Sequence, residues 1–184
     1  MREQSHIDAL ISEEYRALNR ELHYRIPTYG NGAHKWAPKV RELANQNNTS
    51  SILDYGAGKR TLAQALPEFR LSEYDPAVPG IDTLPGPADI VCCLDVLEHV
   101  EPDKIDYTLA YLVSLTRKVL VLSISCKLST KMLADGRSSH ILVESPEWWR
   151  NKLQAFGTLE ELDSSKDAQY DLLLRPFERA PAES

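Results

Sequence analysis

Cysteine, long apolar runs and positive charge are all scarce in this chain, and each shortage closes off a class of function. Of the three cysteines in 184 residues, Cys92 and Cys93 are adjacent inside an apolar stretch and Cys126 stands alone. That pattern is neither a disulfide framework nor the paired spacing of a zinc site, so reduced thiols and a cytoplasmic setting are expected. No apolar run approaches the ~20 residues that cross a bilayer, and the charged start is unlike a secretory signal. Lys and Arg number 21 against 27 Asp and Glu, a net charge of −6, which gives no general attraction to nucleic acid. A local basic patch is left open. Glycine is sparse as well, with eight residues, yet Gly56 and Gly58 lie two positions apart.

What is present suits one globular unit. With 42% hydrophobic and 26% charged residues, the chain can bury a single core. It reads as one domain over 1–184, with a helical cap or lid over 1–46 ahead of an α/β core over 50–178. Ser51, Ile52 and Leu53 form a short apolar run that reads as a buried strand, and Asp54-Tyr55-Gly56-Ala57-Gly58 completes it. Thr61 to Leu66 then reads as the first turns of a helix. A strand, a glycine turn and a helix N-terminus make a site for a nucleotide-like ligand. The glycines admit close backbone approach, and free N–H groups favour negative charge.

Farther along, Arg70 to Asp75 reads as a second strand closing on an acid. A carboxylate about 20 residues past such glycines accepts hydrogen bonds from ribose hydroxyls in dinucleotide folds. A third strand, Asp89 to Leu94, runs into Asp95-Val96-Leu97-Glu98-His99-Val100. The set of Asp54-x-Gly56-x-Gly58, Tyr74-Asp75-Pro76 and Asp95-Val96-Leu97-Glu98-His99 resembles the class I S-adenosylmethionine-dependent methyltransferases. The last phrase is similar to their bacterial small-molecule and quinone branch. A closer likeness is to a compact bacterial and phage subgroup sharing Asp54-Tyr55-Gly56, Glu73-Tyr74-Asp75-Pro76 and Asp135-Gly136-Arg137…His140…Glu147-Trp148-Trp149. It covers the chain from about Tyr15 to Pro176.

The resemblance implies a Rossmann-like sheet with helices on both faces, and one departure from that layout is expected. Only 13 residues separate Asp75 from Asp89, among them Pro76, Pro79, Gly80, Pro85, Gly86 and Pro87. Such a segment cannot hold a helix and a strand. The third strand of the family and its helix are therefore expected to be missing. The remaining order, in the family's strand numbering, is 2-1-4-5-7-6, with the strand starting near Tyr170 antiparallel. The second strand then lies at an edge that needs protection, from the proline-rich loop or the N-terminal helix. Elsewhere, Ser5 and Asp8 resemble a capping pair, and Ile7, Leu10, Ile11, Leu18 and Leu22 share one helical face, packed on the sheet or lying as a lid. Tyr24 to Lys35 has turn chemistry, and this loop with Tyr29, His34 and Trp36 is suited to closing over a ligand. Helices are expected from Pro38 to Ala44 and Pro102 to Leu115, and from Ser145-Pro146-Glu147 onward. Val119 to Ser123 is a buried strand. Thr158 to Leu162 and Tyr170 to Leu174 form a closing hairpin across a polar loop, and the tail after Phe177 lacks a core pattern.

By resemblance, S-adenosyl-L-methionine is the cofactor, with Asp54, Tyr55, Gly56 and Gly58 around its methionine part, Asp75 on its ribose and Asp95 nearby. Asp82 either replaces the acid that meets the adenine or is a solvated turn residue. The family's third glycine is Arg60 here, after Lys59; a bulky cation there crowds the cofactor, pairs with a carboxylate, or plays a structural part. Asp95, Glu98 and His99 follow the carboxyl end of a strand and so face substrate. His99 and His140 are the candidate bases, each with a plain supporting role as its alternative. Tyr29, Glu98, Arg137 and Trp148 are candidate substrate contacts, since neighbouring tryptophans on a helix cannot share a face and one is free to stack. The metal-assisted quinone branch would allow a magnesium-type ion on Asp95, Glu98 and His99. Three residues within five positions need not converge, and no metal is expected. The expected activity is methyl transfer to an oxygen or nitrogen of a small-molecule, sugar- or nucleobase-containing acceptor. A nucleic-acid-modifying enzyme and a cofactor-binding scaffold without catalysis are the alternatives.

Overall fold

The computed structural model describes residues 2–164 and 168–178. The tail expected after Phe177 falls mostly on 179–184, outside the described residues, as do 165–167 of the polar hairpin loop. Six strands form one sheet: β1 (Ile52–Tyr55), β2 (Ser72–Tyr74), β3 (Ala88–Leu94), β4 (Thr116–Ser125), β5 (Gly157–Glu161) and β6 (Gln169–Pro176). Their order is β2-β1-β3-β4-β6-β5, parallel from β2 through β4, with β6 antiparallel to both β4 and β5. This is the arrangement expected when the strand and helix between Asp75 and Asp89 are absent.

Alternation along the central strands sends side chains to two separate layers. Leu53, Val91, Cys93, Leu120 and Leu122 pack against α5 (Ile105–Leu115) and α6 (Pro146–Leu153). Ile52, Ile90, Cys92, Val119 and Val121 pack on the other face against α3 (Ala37–Gln46) and α4 (Thr61–Ala65). Helices therefore cover both faces of the sheet. Among the described residues no helix is long and apolar enough to cross a membrane. All three cysteines are free thiols.

The N-terminal segment differs from the single helix suggested by its apolar spacing. It is two helices, α1 (Arg2–Leu10) and α2 (Glu13–Arg25), broken at Ser12. Ser12 caps α2 by accepting from the Tyr15 N–H, and its own N–H and hydroxyl donate to Glu101 at 2.8 and 2.7 Å. A serine that satisfies a helix end and a distant carboxylate together stops the first helix where hydrophobic periodicity would continue it. Ile11, Tyr15 and Leu22 pack with Tyr29 and with Leu133 of the 127–139 loop, in a third cluster that contains no residue of the sheet.

The two edges are short: β2 has three residues and β5 five. Arg16 of α2 donates to the Pro76 carbonyl at 2.5 Å and pairs with Asp82 at 2.7 Å, tying the proline-rich loop beside β2 to the N-terminal helix. Both candidates for edge protection are thus joined. Trp149 is fully buried among α5 and sheet residues, whereas Trp148 is half-buried. Trp149→Ala should cost about 3–5 kcal/mol in urea unfolding, and Trp148→Ala about 1 kcal/mol. Equal losses would contradict this assignment of the two rings.

Candidate functional site

A cavity of about 360 Å³ opens at the carboxyl ends of β1, β2 and β3. Its floor is the turn after β1, with Gly56 at φ +79°, where a Cβ would lie 2.3 Å from a Val96 methyl. Any side chain at Gly56 would drive this turn away from the β3 end. Tyr55, Gly56 and Asp75 line one end; Glu98, His99 and His140 line the other; α2 and the 28–35 loop form the cover.

Asp54 sits behind the glycine turn, fully buried, with Oδ2 lacking a hydrogen-bond partner. Burial, helped by Glu73 and Asp75, raises its pKa to about 7. Asp75 accepts from the Gly58 N–H at 3.1 Å and the Ala77 N–H at 2.9 Å, and His23 Nε2 of α2 is 3.8 Å away. Burial pushes the Asp75 carboxyl up, while His23 and the two N–H groups pull it back. Asp95 has φ +55°; its carboxylate accepts from Gln169 at 2.7 Å and from the Ser123 hydroxyl at 3.3 Å. Those two donors hold the side chain at the cavity wall.

At the far end, the buried Glu98 carboxylate accepts from the Ser125 N–H at 3.1 Å, and its carbonyl accepts from Ile141 and Leu142. His99 Nδ1 lies 2.6 Å from the Ser139 carbonyl and 3.2 Å from the Tyr29 hydroxyl. His140 Nδ1 lies 2.7 Å from the Lys127 carbonyl, and the two imidazoles meet edge to face at 4.7 Å. A carbonyl only accepts, so Nδ1 carries the proton in both rings and Nε2 keeps its lone pair. Burial, then the neighbouring His140, lowers the His99 pKa to about 3, and burial also lowers His140. Both rings are neutral near pH 7.

Several candidates fall elsewhere. Asp82 is held by Arg16 and does not line the cavity. Arg137 is exposed, pairs with Asp135 at 2.6 Å and lies over the Tyr15 ring at 5.8 Å, also outside it. Trp148 packs against Trp149, with the Lys152 ammonium 5.1 Å from its ring, and lies away from the cavity. His34 and Trp36 of the turn-rich loop are likewise absent from its lining. Gly58 is covered by Gly30, whose carbonyl oxygen lies 2.9 Å from where its Cβ would be. Arg60 adopts a left-handed conformation (φ +61°) and its guanidinium turns outward onto Glu73 of β2, so it does not crowd the turn. Two contributors carried no motif: His23 and Asn19, whose helical spacing along α2 puts them on the face bearing Tyr15.

No family model and no curated protein matches the chain. Solved structures do. A complex of DhpI with S-adenosylhomocysteine superposes with a TM-score of 0.60 at 17% identity, over 89% of this chain and 97% of that one. The fold is that of the class I methyltransferases. The 1,6-didemethyltoxoflavin-N1-methyltransferase of Burkholderia thailandensis gives 0.57 at 20% identity, over 90% of each chain. Magnesium protoporphyrin IX methyltransferase from Synechocystis PCC 6803 gives 0.54 at 16%, over 78% of this chain and 83% of that one. At these identities the likeness is one of fold. Within this class I methyltransferase fold, the cavity lies where open α/β sheets place ligands, outside the carboxyl ends of the strands.

The Asp54 carboxyl gives a stability prediction. Its folded pKa lies above that of the unfolded chain, near 3.9. Its stabilising contribution is therefore complete below about pH 4 and is lost as pH rises through about 7. Ligand-free protein should lose stability between about pH 5 and about pH 8, and Asp54→Asn should lose less, by on the order of 2 kcal/mol in urea unfolding at the two pH values. Identical pH dependence in the two proteins would refute the assignment.

Proposed function

We propose that this protein is an S-adenosylmethionine-dependent methyltransferase acting on an oxygen or nitrogen atom of a small-molecule acceptor. The observation that carries the reading is the single cavity that runs from Gly56 and Asp75 to the neutral pair His99 and His140. The first end suits the cofactor on the chain's own features. Asp54, behind the turn and not itself lining the cavity, keeps Oδ2 without a hydrogen-bond partner, Gly56 leaves room only for backbone, and Arg60 points away. Asp54, Tyr55 and Gly56 would hold the methionine part, and Asp75 and Asp95 the ribose side. When bound, the cofactor supplies an electrophilic methyl group on a sulfonium.

The remaining work falls to the chain. In-line displacement needs the acceptor held against the methyl carbon, and α2 and the 28–35 loop supply walls against which it would be held. His140 Nε2 is the lone pair suited to taking a proton from the acceptor atom. His99, anchored to Ser139 and beside Tyr29, fixes the orientation of the pair. A covered cavity of this size fits a small molecule better than a duplex or a strand. A cytoplasmic setting accords with the free thiols.

Calorimetric titration of the purified chain with S-adenosylhomocysteine and S-adenosylmethionine tests the reading. Micromolar binding is expected, weakened about tenfold or more by Asp75→Ala, which removes a hydrogen-bonded charge. His140→Ala should leave that binding unchanged. A folded wild-type chain that binds neither compound would overturn the proposal.

A further inference from the structure

The acceptor end of the cavity has the composition of a transition-metal site. We infer that Glu98, His99 and His140 bind one divalent ion of the zinc class. One ligand atom from each lies within 4.8 Å of the others, and this is the one such cluster of His, Cys, Asp or Glu among the described residues. Asp95, adjacent in sequence, is not part of it. Its Oδ1 accepts from Gln169 and Ser123, and the three clustered residues offer two nitrogens and one carboxylate in place of the all-oxygen set that magnesium prefers.

Three features prepare the cluster. Each imidazole gives its Nδ1–H to a backbone carbonyl, Ser139 for His99 and Lys127 for His140. Such a bond fixes the tautomer of a metal-binding histidine, orients the ring and leaves Nε2 as the donor. Glu98 is fully buried and oriented by the Ser125 N–H, so the cluster sets a carboxylate beside its two imidazoles. All three residues also border the cavity, which leaves room for a fourth ligand. Two imidazoles and one carboxylate with an open position suit zinc and its neighbours, whereas magnesium prefers oxygen donors. Bonds near 2.1 Å put tetrahedral ligand atoms about 3.4 Å apart. Ligand atoms within 4.8 Å of one another therefore have to close by up to about 1.4 Å on loading.

The loaded ion would present its open position to the acceptor's oxygen or nitrogen and lower the pKa of that atom, so that its proton would leave to solvent; His140, its one lone pair given to the ion, would then be a ligand and not the base. This role rests on the proposed methyl transfer; the binding itself does not.

The test uses metal-free, untagged full-length protein titrated by calorimetry with zinc chloride and, separately, magnesium chloride. Zinc should bind at one equivalent, and magnesium should give no site of comparable affinity. His140→Ala should weaken zinc at least about tenfold. Glu98→Gln, nearly the same in shape, should do likewise, and His34→Ala, lacking an exposed histidine outside the cluster, should match wild type. Circular dichroism and S-adenosylhomocysteine titration of each variant report folding and the cofactor end independently. Zinc binding without homocysteine-ligand binding would keep the metal site and sink the methyltransferase reading. Absence of zinc binding by folded wild type, or unchanged affinity in both cluster variants, would overturn the inference.

Discussion

Two backbone N–H groups converge on one buried carboxylate, and much of the molecule is arranged around that meeting. Asp75 ends β2 and takes the Gly58 N–H from the turn after β1 and the Ala77 N–H from its own loop. It thereby locks the edge strand to its neighbour β1 at the point where the cavity begins. His23 approaches the same carboxylate from α2, and the Lys59 ammonium donates to the His23 carbonyl at 2.7 Å. The N-terminal helix is thus attached to the glycine turn through polar contacts. An apolar helix face could slide along a hydrophobic surface; a helix held by a buried acid and a lysine has one seat.

The same logic governs the opposite end of the cavity. Ile141 and Leu142 donate to the Glu98 carbonyl, while Ser139 and Lys127 offer their carbonyls to the two histidines. The segment after β4 is therefore tied to the β3 end through Ser139, Ile141 and Leu142, and is closed on itself by Lys127 and His140. Leu133 anchors its tip against Tyr15, Leu22 and Tyr29. Cover, loop and sheet end form one packed unit, so geometry at His140 depends on the seat of α2.

The sheet was largely legible in the sequence, because its signals are local. Apolar runs of strand length and the glycines after β1 mark the strands, a proline-dense segment marks the missing helix and strand, and the observed order follows once these are set on the family layout that the resemblance implies. In the N-terminal region hydrophobic spacing carries through Ser12 and so reads as one helix, because the partner that ends the first helix, Glu101, is remote in sequence. Trp149 against Trp148 is a similar case: adjacency shows that the rings diverge, but only packing shows which enters the core. Asp82 and Arg137 carry charges that look ligand-directed in sequence, yet each is consumed by a neighbour, Arg16 and Asp135. His23 was invisible for the opposite reason, since a lone histidine on a charged helix has no motif. The convergence of His140 with Glu98 and His99 was equally hidden, because it depends on the path of a loop.

The loss of a strand and helix between β2 and β3 has a consequence for how this pocket can vary. Where a fold keeps that unit, the corresponding wall is regular secondary structure, and its length cannot change without disturbing sheet packing. Here the wall is formed by Pro76 and Ala77, the start of a 76–87 loop held to α2 by the Arg16 contacts with Pro76 and Asp82. Lengthening such a loop costs only about 0.6 kcal/mol per doubling. The dimensions of this end of the cavity are therefore decoupled from the stability of the sheet, so insertions here can reshape the pocket while the strand register stays fixed.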